Sequence, residues 1–248
     1  MLAHNKRLNP TFTALLVLCF YATLAQNNQL RFGGLAERYL SWVRALKNFE
    51  LVVYRLIARE TEIDEFEQWV YSEKELEQVL TSDEYLDLIS LSYKQPSSLY
   101  EAEKILKRYI DIGKYYEWSL RRILDKIVDR PKNVARYIEK CYDLYCDGYS
   151  FLDNLGLGYG LSVVVPPTDS IEENEQSKLI DSFYPEVAEE ALKVIGWLES
   201  GKVVITGHDG GNQGIEYNDN RSSQDREHTG YKVASPTRKS WKFWQKNR

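Results

Sequence analysis

The residues best spaced for chemistry are carboxylates. Asp143 and Asp147 are four apart, which puts them on one face of a helix, and Asp153 follows closely. Grouped carboxylates can hold magnesium or share acid–base work, and Tyr159 adds a phenol nearby in sequence. An enzyme built on Asp143, Asp147 and Tyr159 requires these groups to meet in one pocket with a perturbed pKa. The competing account is exposed helix carboxylates, with capping and turn hydrogen bonds around Asn154. No motif joins the acids, so the sequence assigns no catalytic residue, no metal and no cofactor, and an enzyme is the less favoured class.

Other reactive types are sparse. The histidines are His4, His208 and His228, and the stretch 35–206 that reads as folded contains none. That removes the commonest general base and metal ligand from the expected core. His208 falls in the turn Gly207–Gly214, whose Asp209 and Asn212 fit a calcium loop only loosely. Cys141 and Cys146 are five apart on an expected helix and point in different directions; Cys19 lies in an apolar run. No CxxC pair exists, which argues against a zinc ribbon or thioredoxin-like site. Gly156-Leu157-Gly158-Tyr159-Gly160 has the glycines of a phosphate loop but the wrong order, helix then glycines then strand. A tight crossing of elements is the simpler account.

Charge is unevenly spread. From Glu60 to Ser90 there are eleven carboxylates and one base, Lys74; from Lys104 to Lys140 there are eleven Lys/Arg and five Asp/Glu. Such asymmetry suits neighbouring helices with facing charges, or an acidic surface that meets a basic partner. Glu65, Glu73, Glu77 and Asp83 are the candidate partner-binding residues. A basic protein is the expected partner, and nucleic acid is not.

The ends are distinctive. Lys6 and Arg7 precede an uncharged run of 14 residues, Phe12 to Ala25, and Thr23-Leu24-Ala25 resembles a cleavage site. This is the layout of a signal peptide, too short for a spanning helix. A cytoplasmic protein with an N-terminal extension over 1–34 is the favoured alternative to export or membrane anchoring through 1–26. Lys232 to Arg248 holds six Lys/Arg, no acid, and Trp241, Phe243 and Trp244. Such a segment suits an anionic surface, so membrane contact is open through 12–25 or 241–244. A disordered, solubilising tail over 219–248 is the simpler account.

The elements that would position these groups are mostly helical. Apolar residues at Leu35, Tyr39, Trp42, Leu46, Phe49, Val53 and Leu56 give one helical face. Thr61 caps a following helix, Ser72–Glu75 reads as a capping box, Ser82 opens a segment of helix or short strand, and Ser98–Glu101 reads as a second box. That helix should run to Ile112, with Gly113 as its stop; Lys114–Asp129 follows, and Pro131 begins a helix ended by Gly148. A short helix over 151–155, a strand over Leu161–Val165, a loop over 166–178, a helix over Ile180–Glu199 and a hairpin 202–217 complete the expectation. The fold class is mainly α, a multi-helix bundle with a short C-terminal β-hairpin. The expected layout is a helical domain over 35–165, with helix and hairpin 179–218 packed on it.

The segments Phe66–Tyr71, Leu76-Glu77 and Glu84–Ser90, with Trp197–Gly207 and Tyr217–Arg221, resemble a pattern in small uncharacterised bacterial cytosolic proteins of the toxin-immunity type. The likeness covers roughly residues 60–221. It implies a helix-rich binding protein and brings no catalytic residues. The basic aromatic tail and hydrophobic leader depart from that pattern. Together these features favour a non-enzymatic protein that binds a basic partner through an acidic surface.

Overall fold

The structure is a computed structural model that describes residues 48–165, 173–209 and 214–226. The leader, the 166–172 segment, the turn 210–213 and the basic aromatic end lie outside the described residues, as do His4, His228 and Cys19. Over the described residues the fold is mainly α with one two-stranded antiparallel sheet. The chain divides into two units between Lys94 and Gln95, inside the 35–165 stretch.

In the N-terminal unit, α1 covers 48–57, α2 is Ile63–Ser72, α3 is Leu76–Val79 and α4 is Ser82–Ile89. The helical spacing of apolar residues decides what is buried: Phe49, Val53 and Leu56 of α1, Phe66 and Val70 of α2, Leu76 of α3 and Leu88 of α4. Trp69 packs between Phe49, at 6.2 Å, and Phe66, at 5.6 Å. The capping box expected at Ser72–Glu75 does not form. Ser72 is still helical, and its hydroxyl donates to the Trp69 carbonyl at 3.2 Å. The box sits at Thr81 and Glu84: the Thr81 hydroxyl accepts from the Glu84 amide and donates to the Glu84 carboxylate at 2.6 Å. This cap makes 82–89 a helix and removes the strand alternative.

In the C-terminal unit, α5 is Ser98–Leu106, followed by a 3-10 turn Lys107–Tyr109, α6 Ile112–Asp129 and α7 Val134–Cys146. After a 3-10 turn at Ser150–Leu152 comes a π-helix, Asn154–Gly160, and then α8 Leu161–Val164. The remainder is α9 Glu173–Asp181, α10 Glu186–Glu199, β1 Val203–Asp209, β2 Gly214–Asp219 and α11 Ser223–Arg226. Leu120, Leu124 and Ile127 of α6, Ile138 and Cys141 of α7, and Val187, Ala191 and Val194 of α10 meet in one core with Phe151, Val203 and Ile215.

Several expected boundaries move. The Ser98 hydroxyl turns back to the Gln95 carbonyl at 2.5 Å, and Ser98 is the first residue inside α5, with Ser97 at the cap position. Gly113 does not stop a helix; it lies in the first turn of α6, where the Asp111 carboxylate accepts from the Gly113 and Lys114 amides at 2.9 and 3.3 Å. Its missing side chain has another purpose, because a Cβ there would run into the Ile205 carbonyl of β1. Pro131 lies in a turn before α7 rather than opening it. The 161–165 strand is instead helix α8: Gly160 has αR geometry, so the π-helix continues directly into it despite the β-branched run. The 166–178 loop is helical from Glu173, and the single helix 180–199 is broken by a turn at Ser182–Pro185.

The hairpin pairs Val203 with Asp219, Ile205 with Tyr217 and His208 with Ile215. The register slips between Ile205 and Gly207, leaving Thr206 as an extra residue whose hydroxyl bonds the Glu216 carbonyl at 3.2 Å. Residues 219–226, expected to be disordered, are folded back by charge. Arg221 grips Asp219 through Nε and Nη2, both at 3.0 Å, and Lys202 Nζ reaches Asp225 at 2.9 Å. The Arg221 guanidinium lies over the Trp197 ring at 4.6 Å.

Candidate functional site

The four acidic residues singled out from the sequence are scattered over the N-terminal unit. Glu65 is exposed in the first turn of α2 and faces Arg55 Nη1 at 3.4 Å. Glu73 is half-buried where α2 ends, and its amide bonds the Trp69 carbonyl. Glu77 is exposed on α3, and Asp83 is exposed in the first turn of α4. None of the four lines the groove of this unit.

That groove is shallow, about 580 Å³ and wide open to solvent; it runs along α2, and among the described residues its lining is Asp64, Glu67, Gln68, Tyr71 and Ser72 of that helix. The spacing follows from helix geometry: steps of three and four place these residues on one stripe, turned away from buried Phe66 and Val70. Tyr71 keeps 60% of its surface exposed, yet its hydroxyl donates to the Ile89 carbonyl at 3.1 Å. Its ring meets Tyr93 edge-on at 6.3 Å. Burial first, then Tyr71 and Glu67, push the Tyr93 phenol above its usual value, so it stays protonated and donates to the Leu88 carbonyl at 2.8 Å. The stripe thus offers two carboxylates beside an exposed, anchored aromatic ring. A lysine or arginine side chain fits such a surface, its charge near Asp64 and Glu67 and its cation over the ring. Sequence reasoning counted the acids here but missed Asp64, Glu67 and Tyr71 as a set; the spacing against Phe66 and Val70 was the available signal.

In the C-terminal unit the structure puts His208 in β1 rather than in a mobile turn. Its Nε2 lies 3.2 Å from Asp147 Oδ2, and its ring stacks on Tyr116 at 5.5 Å between centroids. The Asp147 main-chain carbonyl accepts from the Ile215 amide at 3.0 Å, so the residue after α7 holds both strands. Burial and then the Asp147 charge raise the Tyr116 phenol, and the same causes, burial leading, raise Tyr149. Among the described residues Asp147 is the side-chain partner of the His208 ring and Tyr116 its stacking neighbour, an arrangement that ties helix to hairpin.

The other candidate groups lie elsewhere. Asp143 is exposed. Tyr159 packs edge-on against Phe183 at 5.2 Å, with its phenol raised by burial and by Glu186, Glu190 and Glu189 of α10. Asp147 and Tyr159 therefore belong to different neighbourhoods, and the pocket that a carboxylate enzyme needs is not assembled from these residues. No group of three or more metal-ligating side chains occurs among the described residues. The Cys141 thiol is pushed up to about 12 by burial, which makes it a packing residue rather than a nucleophile. The glycines of 156–160 serve packing as well: a Cβ on Gly156 would lie 2.6 Å from the Tyr145 Cβ, and one on Gly160 would lie 2.8 Å from the Ile138 carbonyl.

One buried polar group is incompletely paired. Asn154 is 7% exposed; its Nδ2 donates to Glu190 Oε1 at 3.1 Å while its Oδ1 has no partner. Lys193 Nζ closes on the same carboxylate at 3.4 Å and lies over Trp197 at 5.1 Å. This string ties the π-helix to α10. Among the described residues no helix is long and apolar enough to cross a membrane. Comparison of the chain with protein-family models, with curated proteins and with solved structures gave no match.

Proposed function

We propose that the protein is a non-enzymatic binding protein whose N-terminal unit receives a basic segment of another protein along α2, as an immunity-type inhibitor would. The observation that carries this reading is the stripe Asp64, Glu67 and Tyr71, in which two carboxylates lie one and two helical turns before an exposed but anchored ring. The wider field supports it: residues 48–94 hold twelve Asp/Glu against four Lys/Arg. Such a field speeds encounter with a cationic partner and makes association salt-sensitive. Glu65, Glu77 and Asp83 contribute to that field from the rim rather than to contact in the groove. The cytoplasm is the proposed compartment, since a partner-neutralising protein acts where its partner would do harm.

A fluorescent heptalysine peptide, titrated onto the full chain at low salt, tests the reading. Binding is expected, with roughly tenfold or greater weakening on Asp64→Lys with Glu67→Lys, the order of magnitude for losing close charge pairs. Tyr71→Ala should weaken binding further without altering the salt slope. Equal binding by wild type and the double variant would sink the proposal.

A further inference from the structure

The chain itself carries a segment matched to the α2 groove. Lys232 to Arg248 has six Lys/Arg and no acid, with Trp241, Phe243 and Trp244 interleaved among the cations. The groove pairs Asp64 and Glu67 with the open face of Tyr71, and Leu86 of the same unit is 55% exposed. A basic aromatic segment therefore meets both needs of this surface at once, charge against charge and ring against ring.

We propose that the 232–248 segment of one copy docks on the α2 groove of a second copy, so that the chain occupies its own binding face when no partner is present. This rests on the function proposed above and adds the occupant. Lys239 and Lys242 bracket Trp241 in sequence, so a cation and a ring can reach the stripe together. The contact is heterologous, tail to groove, so the copy that gives its tail keeps a free groove and the copy that receives it keeps a free tail unless the pair closes symmetrically. An external basic partner would then have to displace the tail, and its apparent affinity would fall in proportion to the fraction of grooves already filled.

The test uses a synthetic peptide of residues 232–248 and the full chain. The peptide is expected to bind at low salt, to lose roughly tenfold or more in affinity against the Asp64→Lys/Glu67→Lys chain, and to lose affinity again when Trp241 and Trp244 are both changed to Ala. Sedimentation velocity of the full chain should show association at low salt that disappears on Lys239→Glu with Lys242→Glu. Circular dichroism and the thermal midpoint establish that each variant is folded. A full chain that remains monomeric at all salt concentrations, or a peptide that binds the charge-reversed chain as well as wild type, overturns the proposal. Heptalysine binding without binding of the 232–248 peptide overturns this inference while leaving the groove's proposed function standing; failure of both peptides overturns both.

Discussion

Asp147 and His208 are sixty-one positions apart, and they meet where α7 ends and β1 approaches the hairpin turn, Nε2 to Oδ2 at 3.2 Å. The contact is one of several that hold this corner. The Ile215 amide bonds the Asp147 carbonyl, and Gly214, at φ +68°, lies so close to that carbonyl that no side chain fits.

The corner's main-chain packing should therefore matter more than its side-chain contact. The Asp147 side chain is 49% exposed, so Asp147→Asn should cost only about 0–1 kcal/mol. Gly214→Ala adds both a left-handed strain and a steric clash, and should cost about 1–3 kcal/mol. Urea unfolding of the full chain, followed by circular dichroism, gives the order. Equal costs would mean that the glycine is replaceable and that the contact geometry is wrong.

Acid should loosen the segment 219–226 before it affects the core. The Lys202 ammonium and then the Ser222 hydroxyl hold the Asp225 carboxyl at about 2, down from 3.8, and Arg221 lowers Asp219 in the same way. Both carboxyls bind protons more weakly in the folded chain, so their contribution is present above the unfolded value and is lost as pH falls through the folded one. The protection of the Arg221–Arg226 amides, measured as exchange relative to an unstructured peptide at the same pH, should fall between about pH 4 and 2, and Lys202→Met should remove the part of that dependence that comes from Asp225. A flat profile in wild type would contradict the clasp.

The cysteines should differ in reactivity. Cys146 is exposed, whereas Cys141 is buried and its thiol is held near 12. Iodoacetamide at neutral pH, with the site read by peptide mass mapping, should modify Cys146 and leave Cys141 intact until denaturant is added. Equal labelling in the native protein would place Cys141 outside the core.

The π-helix should tolerate no side chain on its packing face. Gly156→Ala drives a methyl into the Tyr145 Cβ and the Cys141 carbonyl, and overpacking of this kind costs about 1–3 kcal/mol. Gly196→Ala, where a Cβ meets nothing within 4 Å, is the control and should be neutral or mildly stabilising, since alanine is the better helix former. Paired thermal melts of the two variants decide the point.

Local chemistry made much of this fold legible. Val134, Ile138 and Cys141 showed the buried face of α7, Gly148 its end, and the Val203–Ile205 run with Tyr217 the hairpin. What escaped were features set by distant neighbours. Gly113 looked like a helix stop because its reason, the Ile205 carbonyl, lies in a strand ninety-two positions later. Leu161–Val164 has the residues of a strand, but the preceding π-helix carries it on as helix. His208 read as a loop residue because its partners, Asp147 and Tyr116, are brought to it only by tertiary packing. In the acidic stretch the carboxylates are so dense that their number carries no register, and half-buried Glu73 reads the same in sequence as the groove-lining Asp64 and Glu67.

Tyr71 is tethered at its hydroxyl while its face is open to water. Its two side-chain torsions are already settled when the chain folds, so an arriving partner freezes little there. Cutting that tether, as in Tyr71→Phe, would leave the ring in place but free to swivel, and should appear as a shorter lifetime of the complex rather than a slower encounter.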